Sequence, residues 1–68
     1  MPELYPTVRL DTDELPSGPW IYGRNVGPIA DPPEDGSLVE VEDRSGRFVG
    51  HALFNSRSDI RMRLLSRG

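Results

Sequence analysis

The segment Ser37–Phe54, "SLVEVEDRSGRFVGHALF", restricts the fold more than any other part of the chain. Val39 and Val41 alternate with Glu40 and Glu42, the period of two that places one face of a strand against a core and the other in water. "DRSG" then breaks the pattern, and its Gly46 can take the positive φ that a tight hairpin turn needs. "RFVGHALF" returns with Phe48, Gly50, Ala52 and Phe54 on one face and Val49, His51 and Leu53 on the other. Apolar groups on both faces imply a central strand, bent at Gly50, where a side chain would obstruct closure. A hairpin with one central strand needs further strands beside it.

The rest of the chain supplies them between strong turn signals. "TVRL" (Thr7–Leu10) follows Pro6 and reads as an opening strand. "DTDEL" offers Asp11 or Asp13 as a helix N-cap, and Pro16 and Gly18 end any helix within one or two turns. "PWIYGRNVGPI" reads as an irregular segment that leads into a strand around Asn25–Ile29. "ADPPEDGS" is a loop, because consecutive prolines cannot donate to a ladder. After the polar loop "NSRSD", "IRMRLLS" places Ile60, Met62 and Leu64 on one face and Arg61 and Arg63 on the other. The expected fold is mainly β, a small bent barrel of short strands with one or two helical turns.

At 68 residues the chain has room for one domain with a small core, and with no cysteine it has neither a disulfide framework nor a thiolate zinc site to support it. The N-terminus lacks the basic start and apolar run of a signal peptide, and no apolar run approaches the length of a membrane span. A cytoplasmic location and no membrane partner are the expectation. The formal net charge of −3 hides an asymmetry: up to Asp43 the acids far outnumber Arg9 and Arg24, whereas Arg44, Arg47, Arg57, Arg61, Arg63 and Arg67 are opposed only by Asp59. Every cation is arginine, whose planar fork suits carboxylate and phosphate alike. Either an internal ion-pair network or a nucleic-acid backbone contact uses such a cluster.

Catalysis finds no residues to carry it. His51, the single histidine, has no grouped carboxylates to complete a metal site and no serine elbow beside it. Asp11, Asp13 and Glu14 suit a helix start better than acid–base work. Neither "GPWIYG" nor "GRFVG" has the spacing or the strand-to-helix junction of a phosphate-binding loop. Glu40 and Glu42 read as a solvated face or as partners of Arg61 and Arg63 across a sheet. Trp20, the single tryptophan, reads from its size as a central packing element of a small core rather than as a base-stacking surface.

"GPWIY", followed after a gap by "GRFVGHALFNSRSDIRMRLLS", resembles the N-terminal domain of the class I methyltransferases that modify cytosine in large-subunit ribosomal RNA. Pro19, Trp20, Ile21 and Tyr22 correspond to that family's "HPWVF" element. Gly46, Phe48, Val49, Gly50, Phe54, Asn55, Ser58, Ile60, Arg61 and Arg63 correspond to its longer second motif, and "DGSLVEV" to the "GDLVEV" between them. The resemblance runs from Gly18 to Ser66. It departs from the family before the Trp element, where "DTDELPSG" replaces a basic stretch and a histidine.

The resemblance implies a PUA-like pseudo-barrel of five or six short strands spanning residues 1–68, the N-terminal part of a longer enzyme. Its catalytic domain, C-terminal to this one, would bind S-adenosylmethionine; this domain would hold no cofactor and perform no chemistry. It also implies ribosomal RNA as partner, with Trp20, Asn55, Arg57, Ser58, Arg61 and Arg63 at or near the RNA surface. The rival expectation is a structural or protein-interaction barrel in which the arginines serve internal or interdomain ion pairs.

Overall fold

Asp43–Gly46 closes a hairpin as its composition requires. Asp43 donates its amide to the Arg47 carbonyl at 2.9 Å, Gly46 donates to the Asp43 carbonyl at 3.0 Å, and Gly46 has a φ of 88°. This computed structural model describes residues 5–67. The hairpin strands are β3 (Leu38–Glu42) and β4 (Phe48–Phe54), joined by β1 (Thr7–Arg9), β2 (Trp20–Tyr22) and β5 (Ile60–Arg67) in a single sheet of order β1-β3-β4-β5-β2. β1 runs parallel to β3, and every other pairing is antiparallel. The described residues contain one 3₁₀ turn, Gly23–Asn25, and no α-helix.

The two edges of the sheet meet. Leu10, just past β1, bridges to Val26, just past the 3₁₀ turn. Asp11 donates to the Asn25 carbonyl at 2.8 Å and Gly27 to the Arg9 carbonyl at 2.9 Å. Joining the edges removes unpaired backbone groups at that end and curls the sheet into a mainly β pseudo-barrel. The expected strand at Asn25–Ile29 is therefore corrected: the strand lies earlier, at Trp20–Tyr22, and Val26 contributes one bridge that closes the barrel.

Inside lie Val8, Leu10, Ile21, Val39, Val41, Val49, Ala52, Phe54, Met62 and Leu64, with Val26 and Ile29 packed against them. Every strand contributes to this cluster, so no strand holds its place alone. Three bulges set the faces. β4 carries an extra residue at Val49 opposite Val41/Glu42, and β5 carries extra residues at Arg61 and Leu65. Strict alternation predicts Phe48 inside and Val49 outside, and the first bulge reverses both: Val49 is buried and Phe48 is exposed. Bulges increase local twist, which a five-stranded sheet needs in order to close. At Gly50 the backbones crowd as expected, since a Cβ there would stand 1.9 Å from the Ser66 carbonyl oxygen.

Two more expectations are overturned. "DTDEL" forms bends and no helix. Asp13 caps nothing; its Oδ1 instead accepts both the amide and the hydroxyl of Ser45, at 3.0 and 2.9 Å, and so fixes the hairpin turn. Glu40 and Glu42 do not meet Arg61 and Arg63, because β3 pairs with β1 and β4 and never with β5. Glu42 accepts from Arg9 at 3.0 Å, while Glu40 lies 3.9 Å from His51.

Candidate nucleic-acid interface

β2 is short, and its alternation determines what it displays. Burial of Ile21 turns Trp20 and Tyr22 to the opposite, outer face, where they remain 44% and 38% exposed. Trp20 is thus a surface residue, and the core is built without it. The segment before β2 is held from the far end of β5: the Arg67 guanidinium donates to the carbonyls of Pro16 and Gly18 at 2.8 and 3.0 Å. Leu64 donates to the Pro19 carbonyl at 2.8 Å, completing the attachment.

Each of the two exposed rings of β2 has an arginine over it. Arg63, directly opposite Trp20 in the sheet, places its guanidinium carbon 5.5 Å from the indole centroid. The 3₁₀ turn after β2 folds Arg24 back over Tyr22 at 4.8 Å. A cation over a ring face is attracted by the ring quadrupole, which organises both side chains while the guanidinium keeps donors free. Leu53, 39% exposed, lies opposite Arg63 on the other side and extends the same row across the sheet.

Arg61 takes a different position. As the extra residue of a β5 bulge it turns toward the 3₁₀ turn, donating from Nε to the Ser58 carbonyl at 3.2 Å. Its guanidinium fills the space beside Gly23, where a Cβ would stand 2.5 Å from Nη2. Tyr22, Gly23, Arg24, Asp59 and Arg61 line an open pocket of about 250 Å³.

The β4–β5 loop uses its polar side chains largely on itself. Asn55 Oδ1 accepts the Arg57 amide at 3.0 Å and Ser58 Oγ accepts the Ile60 amide at 3.1 Å. Asp35, from the preceding loop, accepts both the amide and the hydroxyl of Ser56 at 2.8 Å. The Ser56 amide, then its hydroxyl, hold the Asp35 carboxyl below its ordinary value, with the charges of Arg57 and Arg61 adding to the effect. Arg57 projects from the loop with its side chain 90% exposed, 3.7 Å from Asp35.

The six residues singled out from sequence therefore fall into groups. Trp20 and Arg63 stack on the outer sheet face, Arg57 stands at a loop tip, Arg61 borders the pocket, and Asn55 and Ser58 are engaged in turns. Tyr22 and Arg24 were missed as site residues. The signal for them was present: Tyr22 follows Trp20 by two residues on a strand, hence on the same face, and Arg24 follows by two more. Among the described residues no three His, Asp or Glu side chains gather as a metal site, and no helix is long and apolar enough to cross a membrane.

The family model of the PUA-like domain matches residues 17–67, the span that contains β2 to β5 and all six of those residues. The chain belongs to the PUA-like domain family. This PUA-like domain is also 33% identical over 48 residues to the ribosomal RNA large subunit methyltransferase I of Vibrio parahaemolyticus, in an alignment that takes in 71% of the present chain. The alignment spans 12% of that relative's length. No solved structure matches the PUA-like domain significantly.

Proposed function

We propose that this PUA-like domain is a non-catalytic RNA-binding accessory domain. Residues 1–68 form one unit at the N-terminal end of an S-adenosylmethionine-dependent ribosomal RNA cytosine methyltransferase, working in the cytoplasm where its RNA is found. The unit positions RNA for a catalytic domain C-terminal to it. In this reading the cofactor and the chemistry belong to that other domain. The observation that carries the reading is the outer face of β2, where Trp20 and Tyr22 lie open under Arg63 and Arg24. Arg57 supplies a further exposed cation beside the same end of the sheet. Similarity to a ribosomal RNA methyltransferase supports RNA as the partner.

Affinity for a ribosomal RNA hairpin, measured across a salt series, tests this. Phosphate contacts release counterions and require affinity to fall steeply with salt. A flat response, or no binding at low salt, removes the reading.

One set of observations favours a second reading, an interaction module with little RNA affinity. Arg61 and Arg67 donate to backbone carbonyls, and Asn55 and Ser58 hold turns, so much of the polar set maintains the fold. Replacing Arg63 with glutamine separates the two: lost RNA affinity at unchanged melting temperature supports RNA binding, and unchanged affinity supports the module.

A further inference from the structure

Taking the RNA-binding reading as given, we infer that the β2 face is a two-position platform for consecutive unpaired nucleotides, with one base on Trp20 and the next on Tyr22. Trp20 and Tyr22 are residues i and i+2 of one strand with Ile21 buried between them, so both rings stand on the same face. Two residue rises separate them by about 6.7 Å. Stacked neighbouring bases in a duplex lie only about 3.4 Å apart. Neighbouring bases can therefore occupy both rings only when they are unstacked from each other, which a duplex forbids and a single strand permits.

The charges repeat with the rings. Arg63 accompanies Trp20, and Arg24 accompanies Tyr22. Among the described residues neither arginine makes an ion pair, in contrast to Arg9, Arg47 and Arg57. Each position thus offers an aromatic ring for a base and, beside it, a guanidinium free of ion pairs for the adjoining phosphate, the combination by which single strands are held without sequence readout. Beyond Tyr22, the pocket lined by Gly23, Arg24, Asp59 and Arg61 lies in the direction the strand would continue.

The test compares two probes at low salt: a fluorescein-labelled octauridylate, which has no internal structure, and a blunt ten-base-pair RNA duplex. Trp20 is the single tryptophan, so its emission reports base stacking without a label. The expected result is tighter binding of octauridylate than of duplex, with Trp20 emission quenched. Trp20→Ala and Tyr22→Ala should each weaken octauridylate binding about tenfold. Trp20→Phe should retain most of the affinity, and circular dichroism melts should show each variant folded, since both rings lie outside the core. Duplex bound as tightly as octauridylate, with both alanine variants unaffected, overturns the platform and leaves RNA binding standing. Binding of neither probe overturns the platform and the RNA-binding reading together.

Discussion

Gly50 and Asp35 show how much of this small domain rests on single residues. At Gly50 the obstacle is backbone, the Ser66 carbonyl, which cannot rotate away as a side chain could. Gly50→Ala should cost about 3 kcal/mol, as overpacking a close-fitting site does. A domain of this size has little more than that to lose, so the variant should be largely unfolded in a urea titration at room temperature; a shift of under 1 kcal/mol would show that β4 and β5 can separate. Asp35 works through charge. Its carboxyl titrates below its ordinary value because Ser56 donates to the ionised form. The unfolded chain therefore binds the proton more readily, and stability rises with pH through that range. The contribution is fully present above the ordinary aspartate value and lost as pH falls through the lowered one. Asp35→Asn should lower the neutral melting temperature modestly and flatten its acid decline, so that variant and parent converge at low pH, measured by thermal melts between pH 7 and 2.

At the scale of elements, the bulges and side-chain pins decide which faces the strands show. The hairpin was legible because Val39 and Val41 alternate cleanly with acids and Gly46 marks the turn. Phe48 and Val49 were misassigned because a bulge leaves no residue-type signature: one extra residue on β4 reverses the faces beyond it. The displaced β2 strand has a different origin. "WIY" is only three residues long and acquires its strand form from pairing with β5, which no local window contains. Its position depends in turn on Arg67, whose two hydrogen bonds reach back about fifty residues to Pro16 and Gly18. Arg67→Gln should cost about 1 kcal/mol, the usual net worth of such contacts. It should also alter Trp20 emission in the free protein, an effect that a merely exposed arginine would not produce.

For the whole molecule, the arginine excess of the last third has a mixed destination. Arg47 pairs with Asp43, Arg67 and Arg61 bond backbone carbonyls, and Arg57 and Arg63 reach outward. With Arg24, Arg57 and Arg63 on phosphate, three contacts at about 0.7 each predict that log K falls with log salt at a slope of about −2 on a single strand. Arg63→Gln should reduce that slope by about 0.7; an unchanged slope would place Arg63 outside the phosphate path. The sequence by itself determined the fold class, the hairpin and the closeness required at Gly50, because periodicity, turn chemistry and residue type are local properties. Its family motifs also carried the PUA-like identity. Only the tertiary structure decided that Trp20 lies outside the core, that Tyr22 and Arg24 repeat its pairing with Arg63, and that Asp13 and Asp35 pin distant serines. Each of these depends on which strands become neighbours when the sheet edges meet at Leu10 and Val26, and strand neighbours are chosen by burial of the shared core, a property of the whole chain.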